Sequence, residues 1–164
     1  CVAAVHLAPQ LVVLVAGATL AGWRPDLVGV GALLVALLLV FLLALGAGLL
    51  LAALNVLFRD VENLVDLVLM VLVWASPVLY SWQRVRDLLG TDSWLLALYQ
   101  ANPLTVAVEL MHRATWAGAP SADEQALPPG LWGSTSVALL VAVVLVIVGQ
   151  WAFRTLSGRF AQEL

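Results

Sequence analysis

The fold of this chain is decided by one charged stretch, Asn55-Val56-Leu57-Phe58-Arg59-Asp60-Val61-Glu62-Asn63-Leu64, which separates two long apolar runs. The run before it, residues 28–54, contains no charged residue, and the run after it, residues 65–82, contains only Asp66. In so apolar a chain, charged side chains lie where they meet water or a polar partner. The sequence therefore predicts a loop at a membrane surface between two spanning helices.

The composition predicts an integral membrane protein. Hydrophobic residues make up 63% of the 164 residues, charged residues make up 10%, and the mean hydropathy is +1.06. Soluble domains are about half apolar and about a quarter charged. Isolated strands would leave backbone polar groups unsatisfied in lipid, so we expect an all-α protein.

Four apolar runs approach the roughly 20 residues that a helix needs to cross a bilayer, and they cover residues 2–22, 28–54, 65–82 and 134–153. We therefore predict one transmembrane domain, residues 1–164, with four spans. In the second span, Ala44, Gly48 and Ala52 recur every four residues, a spacing that favours close helix packing. The chain begins with Cys1 and continues with apolar residues, so we expect a fragment that lacks an N-terminal part.

The segment between the last two predicted spans contains signals for two short helices, within residues 93–118. Ser93 is placed to cap a helix over residues 94–100. Asn102-Pro103 is typical of an N-cap followed by proline at the first helical position. The second helix carries Thr105, Glu109 and further polar residues on one face, so it is too short and too polar to span. We expect it to lie at the surface or to re-enter between spans.

Arginine placement predicts the orientation of the chain. The charged stretch and the C-terminal tail hold Arg59, Arg154 and Arg159, whereas the short loop on the opposite side holds Arg24. The positive-inside rule then places the charged stretch and the tail in the cytoplasm and residues 93–118 outside it.

Several functions are disfavoured by the sequence. The net charge of −3 gives no case for nucleic acid, and His6 and His112 are too isolated to suggest a metal site. The chain contains no lysine and therefore no phosphate-binding loop of the Gly-x-x-x-x-Gly-Lys-Ser/Thr type. No nucleophile and base are paired, so we predict no catalytic residue and no enzyme activity.

Motifs in a fixed order suggest a family. They are Asn55-Val-Leu-Phe-Arg59-Asp60-Val61, then Ser76-Pro77-Val78-Leu79-Tyr80, then Tyr99-Gln-Ala-Asn102-Pro103-Leu104 with Glu109, and the ending Phe153-Arg-Thr-Leu-Ser-Gly158-Arg159-Phe160-Ala-Gln-Glu163-Leu164. This order resembles permease subunits of type-2 ABC exporters, in particular those that export lipid-linked surface polysaccharides such as O-antigen, teichoic acid and mycobacterial galactan.

The resemblance implies a six-span permease of the bacterial cytoplasmic membrane, of which this chain would hold spans three to six. It implies a homodimer, a separate ABC ATPase subunit that binds ATP and magnesium, and a lipid-linked glycan as substrate, with no cofactor on this chain. A drug or antibiotic exporter of the same superfamily is the alternative within transport. A non-transporting membrane scaffold is another, and a membrane enzyme built on Glu109, His112 and Arg113 is the third.

With this resemblance, a mechanistic hypothesis gives roles to three groups of residues. The first couples the permease to the ATPase: Asn55, Arg59, Asp60 and Glu62. The second forms an extracytoplasmic gate: Asn102, Pro103, Glu109 and Arg113. The third offers flat aromatic faces to sugar rings: Trp74, Tyr80, Trp82, Tyr99 and Trp116. The alternatives stay open: a charged loop with a helix cap, an interfacial helix that only stiffens the fold, and an anchor belt at the membrane interface.

Overall fold

The computed structural model describes residues 2–20, 22, 26–57, 61–78, 80–91, 93–115 and 128–160, without the side chains of residues 2–8, 56–57, 62 and 157–160. These residues form helices and no strand, which confirms the predicted all-α class. The helices are α1 (Val2–Leu20), α2 (Leu27–Leu57), α3 (Val61–Trp74), α4 (Trp82–Leu89), α5 (Trp94–Ala101), α6 (Pro103–Thr115) and α7 (Leu131–Phe160).

Two helices have the length and composition to cross a membrane. The apolar parts of α2 and α7 are Leu27–Asn55 and Leu131–Leu156. The helices contain 31 and 30 residues, so each is about 45 Å long at 1.5 Å per residue. Both are longer than the predicted spans, because no helix-breaking residue interrupts them at Asn55 or Arg154.

The apolar parts of α1 and α3 are shorter, Pro9–Leu20 and Asn63–Trp74. The third predicted span was expected to reach Trp82, but α3 ends at Trp74 after 14 residues. Pro77 has no backbone N–H to continue the helix, and the Ser76 hydroxyl donates to the Leu72 carbonyl at 2.8 Å. The apolar run therefore continues past the end of the helix as a turn.

The connection between α2 and α3 is shorter than predicted. Residues up to Leu57 belong to α2 and residues from Val61 belong to α3, so only residues 58–60 can separate the two helices. The prediction of a ten-residue loop is therefore wrong in its length. Neither flank contains proline or glycine, so no helix-breaking residue stops the helices before residues 58–60.

The helices α2 and α7 cross at two glycines. A Cβ atom built on Gly46 would lie 2.7 Å from the Val146 nitrogen, and one built on Gly149 would lie 2.6 Å from the Gly46 oxygen. Gly149 also lies beside Leu49 and Leu50, so the contacts advance in the same direction along both helices. The helices therefore run parallel, and the intervening segment returns the chain to the end where α2 begins.

The predicted small-residue pattern marks a different face of α2 from the one that packs against α7. Ala44, Gly48 and Ala52 are exposed within this chain, and a Cβ atom on Gly48 would meet nothing within 4 Å. Gly46 lies between them in sequence and points to α7. The spacing identified the kind of contact but not the residue that makes it.

A small core joins α2, α6 and α7. Alanine dominates it, which lets the backbones of the three helices approach closely. Its buried members are Ala32, Ala36 and Leu39 from α2, Val106, Ala107, Leu110 and Ala114 from α6, and Leu131, Ala138 and Ala142 from α7. By contrast, none of the side chains described in α1, those of Pro9–Leu20, is buried. The short helix α6 therefore belongs to the packed centre of the chain.

The sequence analysis missed α4. Ser81 precedes this helix in an extended conformation, and Gly90 ends it with φ 80°, donating its N–H to the Arg86 carbonyl at 2.8 Å. Serine before and glycine after a helix are the usual boundary signals. The Arg86 guanidinium carbon lies 5.2 Å from the centre of the Trp82 ring, on the first turn of the same helix.

Candidate functional site: the hairpin of α5 and α6

The helices α5 and α6 form a hairpin whose ends agree with the sequence. The Ser93 hydroxyl accepts a hydrogen bond from the Leu95 N–H at 3.2 Å. Asn102 Oδ1 accepts one from the Leu104 N–H at 3.0 Å, and Pro103 is the first residue of α6. The predicted caps at Ser93 and Asn102 are therefore confirmed, and a sharp turn joins the two helices.

The hairpin is inserted beside the long helices. Near the start of α2, a Cβ atom on Gly29 would lie 3.3 Å from the Ala114 carbonyl oxygen, so the end of α6 meets the beginning of α2. The rest of α6 can pack along α2 only by extending toward the middle of that helix. The turn at Asn102 and Pro103 therefore lies farther along α2, toward the middle of that helix, than the end of α6 does. This position fits the re-entrant alternative.

The polar face of α6 is buried. Thr105 and Glu109 are each only 2% exposed to solvent, because α6 packs against α2, α7 and α5. An amphipathic helix at a surface would have left these side chains in water. Of the two arrangements expected for this helix, the burial of Thr105 and Glu109 favours re-entry between the other helices.

Three buried oxygen atoms in the hairpin have no hydrogen-bond partner among the described residues: Tyr99 Oη, Thr105 Oγ1 and Glu109 Oε1. The other carboxylate oxygen of Glu109, Oε2, lies 3.7 Å from His112 Nδ1. Thr105 and Glu109 are four residues apart and so lie on the same face of α6. Buried polar groups are nearly always paired, so this cluster requires an explanation.

Tyr99 connects this cluster to the segment after α3. Burial raises the pKa of the Tyr99 phenol, and the neighbouring Tyr80 phenol and the Glu109 carboxylate raise it further. The Tyr80 hydroxyl in turn donates to the Trp74 carbonyl at 2.7 Å. The Tyr99 phenol therefore lies close enough to the Tyr80 phenol and to the Glu109 carboxylate to interact with both electrostatically. Through Tyr80, this group reaches the end of α3.

An ion pair holds the other end of α6. Arg113 Nη2 lies 3.0 Å from Asp26 Oδ2, and Asp26 Oδ1 accepts a hydrogen bond from the Gly29 N–H at 2.9 Å. The Arg113 hydrogen bond is the main cause that lowers the pKa of Asp26. The sequence analysis did not single out Asp26, although an aspartate directly before an apolar helix is a common N-cap signal.

The aromatic residues assigned to sugar rings lie in different environments. Trp74 is 61% exposed, and Tyr80 and Tyr99 are half-buried. Trp82 is 5% exposed and is covered by Arg86, so it presents no open face in this structure. Trp116 lies outside the described residues. Among the described members of this group, Trp74, Tyr80 and Tyr99 are thus the ones that could contact a ligand.

The residues assigned to ATPase coupling are described only in part. Asn55 is exposed in the last turn of α2. Arg59, Asp60 and the side chain of Glu62 lie outside the described residues. In the part of the chain that the structure describes, no three His, Cys, Asp or Glu residues are grouped to hold a metal ion.

In the described residues, two long apolar helices pack against a short helical hairpin, an arrangement that indicates an integral membrane protein. The sequence profile of the family described as ABC-2 type transporter matches residues 3–115, more than half of the chain, and the chain belongs to this family. The matched region ends at Thr115, the last residue of α6. Neither a curated protein nor a solved structure matches the chain. The chain is thus an ABC transporter permease, a membrane component that works with an ABC ATPase.

Proposed function

We propose that this chain forms part of the permease of an ATP-driven exporter that moves lipid-linked cell-surface polysaccharide across the bacterial cytoplasmic membrane. In this proposal the permease has six spans and works as a homodimer, and this chain contributes spans three to six, with α1 and α3 crossing the membrane as well. A separate subunit binds ATP and magnesium. The family supports the transport role, and the resemblance of the ordered motifs supports the polysaccharide.

The observation that carries the proposal is the inserted hairpin. It packs against both long helices near the end of α2 opposite the charged stretch, and its polar groups lie beside Tyr80 and the end of α3. An element of this kind can separate a translocation path from the outer solution. An interfacial helix that lay along the membrane surface and only stiffened the fold would not place a carboxylate in the interior.

In the proposed mechanism the hairpin is the outer gate. Asn102 and Pro103 fix the turn, and Glu109 anchors the buried face of α6. Arg113 ties the end of α6 to Asp26 at the start of α2. Since α2 continues to Asn55, one rigid helix of about 45 Å joins the gate to the charged stretch.

The charged stretch is the proposed ATPase contact. In the sequence, Asn55, Arg59, Asp60 and Glu62 lie around the junction between α2 and α3, so a push there would move both helices. The exposed ring of Trp74 and the phenols of Tyr80 and Tyr99 are the proposed sugar contacts. Aromatic faces suit sugar rings because both surfaces are flat and largely apolar at the point of contact.

The proposal is tested by disrupting the complete gene in its source bacterium and following labelled surface glycan. We expect less glycan at the cell surface and more lipid-linked glycan inside the cell, with both restored by the wild-type gene. A matched strain with an inactive copy of the partner ATPase should show the same accumulation, because transport requires both subunits.

Other outcomes would overturn the proposal in distinguishable ways. Unchanged glycan with increased sensitivity to a drug or antibiotic would keep the transporter and change its substrate class. Unchanged glycan without any ATPase that copurifies with the permease would indicate a non-transporting scaffold.

A further inference from the structure

The hairpin contains a set of buried oxygen atoms whose hydrogen bonding is incomplete. Glu109 Oε1, Thr105 Oγ1 and Tyr99 Oη are buried and have no hydrogen-bond partner within bonding distance in the described ranges, and the Tyr80 phenol is the polar group next to Tyr99. The Thr105 hydroxyl differs from those of Thr115 and Thr135, which donate to carbonyls four residues earlier at 2.8 and 2.7 Å. Thr105 lies in the first turn of α6, where Pro103 and the N-cap interrupt this pattern.

The charged groups around Glu109 explain why its carboxylate is incompletely paired. Arg113 lies one turn further along α6, but its guanidinium is bound to Asp26 at 3.0 Å. His112 Nδ1 approaches the other carboxylate oxygen, Oε2, at 3.7 Å, which is beyond hydrogen-bonding distance. The described parts of α2 and α7 that pack on α6 carry no basic residue along their buried faces. The carboxylate therefore has one imidazole nearby, and its Oε1 atom accepts no hydrogen bond from the described residues.

We propose that Glu109, Thr105 and Tyr99 form a binding site for a monovalent inorganic cation of the sodium or potassium type. In this proposal the three oxygen atoms share one cation, which would neutralise the buried carboxylate, as a water molecule cannot. The last turn of α5 adds the negative end of a helix dipole next to Tyr99. Unwound or terminal segments of broken membrane helices supply cation ligands in the same way.

The charge of the site selects the class of cation. One carboxylate balances one positive charge, whereas divalent cations usually bind several carboxylates. Hydroxyl and carboxylate oxygens are hard ligands, which favour alkali cations over transition metals. The bound cation would hold α5 against α6 and so stabilise the hairpin, independently of which substrate the permease carries.

The test is thermal unfolding of the full-length permease purified in detergent. The midpoint is followed by tryptophan fluorescence in lithium, sodium, potassium and N-methyl-D-glucamine chloride at equal ionic strength. Because a ligand that binds only the folded state raises the midpoint, we expect one alkali cation to raise it in a saturable way relative to N-methyl-D-glucamine. Thr105→Val should weaken the apparent affinity by about tenfold or more, as removal of a group around a bound metal usually does.

Two further variants make the result specific. Glu109→Gln should abolish the cation dependence, whereas Asp87→Asn, which changes an exposed carboxylate on α4, should retain it. An equal midpoint for the wild type in all four salts would overturn the proposal, and it would assign the cluster to water and His112. Retention of the dependence in both Glu109→Gln and Thr105→Val would also overturn it. Neither result depends on glycan export, so the proposed function is tested separately.

Discussion

The Arg113 guanidinium lies 3.0 Å from the Asp26 carboxylate, although the two residues are 87 positions apart in the chain. This ion pair joins the last turn of α6 to the residue that caps α2. Beside it, Gly29 allows α2 to approach the Ala114 backbone. The hairpin is therefore fastened to the beginning of the longest helix in the described part of the chain.

Removal of the ion pair should loosen the end of α6. Asp26→Asn keeps a side chain that can cap α2 but loses the charge, whereas Asp26→Ala loses both. We expect faster hydrogen exchange at the amides of Ala114 and Thr115 in both variants, and faster exchange in the first turn of α2 only in Asp26→Ala. Arg86→Gln removes an exposed pair with Asp87 and is the matched control. Unchanged exchange at Ala114 in Asp26→Asn would show that the ion pair does not hold α6.

Acid should release the same contact. Because the pKa of Asp26 is lowered in the folded protein, its contribution to stability is present above the pKa of the unfolded carboxyl group and is lost as the pH falls through the lower folded value. Protection of Ala114 should therefore stay constant from about pH 8 to about pH 5 and decrease below about pH 4. Asp26→Asn should lack this acid step. A step that persists in Asp26→Asn would assign it to another group.

The crossing of α2 and α7 should not tolerate a methyl group. A Cβ atom at Gly46 or Gly149 would meet backbone atoms of the partner helix, so alanine at either position must separate the helices. We expect each variant to lower the free energy of unfolding by about 1–3 kcal/mol. Gly48→Ala is the control, since a Cβ atom there meets nothing within 4 Å, and it should be neutral or slightly stabilising. Equal effects at Gly46 and Gly48 would contradict the close approach of α2 and α7 at Gly46. Denaturant titration in mixed micelles measures all three variants.

The aromatic residues near the hairpin should affect transport of glycan. Tyr80→Ala and Tyr99→Ala should each lower export by about two- to tenfold if the phenol rings contact sugars, since aromatic contacts contribute about 0.5–1.5 kcal/mol. Trp94→Ala, an exposed aromatic position on α5, is the control. Export of labelled glycan is measured at equal amounts of membrane-inserted protein. Unchanged export would return these residues to an anchor belt at the membrane interface.

The charged stretch should be required for coupling. Arg59→Ala combined with Asp60→Ala should lower export toward the level of a strain with an inactive ATPase, without lowering membrane insertion. Gln150→Ala changes an exposed polar residue on α7 and is the control. The measurement compares export with the quantity of permease in the membrane. Normal export in the double variant would show that this turn is only a helix boundary.

The sequence predicted those features that depend on local chemistry. The caps at Ser93 and Asn102 and the helix start at Pro103 follow from side chains that bond to their own backbone, so they could be recognised without tertiary contacts. The third span was predicted too long because the apolar residues continue past Trp74, whereas the helix ends there, shortly before Pro77, which has no backbone N–H to donate. Apolar content reports the environment of a segment and not where its helix ends.

The features that the sequence did not reveal depend on tertiary packing. The polar face of α6 indicated exposure at Glu109, but contacts with three other helices bury it. Gly46 was overlooked because the Ala44, Gly48 and Ala52 repeat was more conspicuous than one glycine between them. The ion pair of Asp26 with Arg113 requires that α6 return along α2, and no local pattern encodes this return.

The most direct test of the gate is to lock the hairpin to α2. Asp26→Cys and Arg113→Cys are combined in a background in which Cys1 is replaced by serine. Glycan export is measured before and after treatment with a bifunctional methanethiosulfonate, which links the two thiols through disulfide bonds that a reductant cleaves. Arg84→Cys with Leu88→Cys, which links two exposed positions within α4, is the control pair. The account predicts that cross-linking the first pair stops export, that a reductant restores it, and that the control pair has no effect. Full export with α6 cross-linked to α2 would contradict the account.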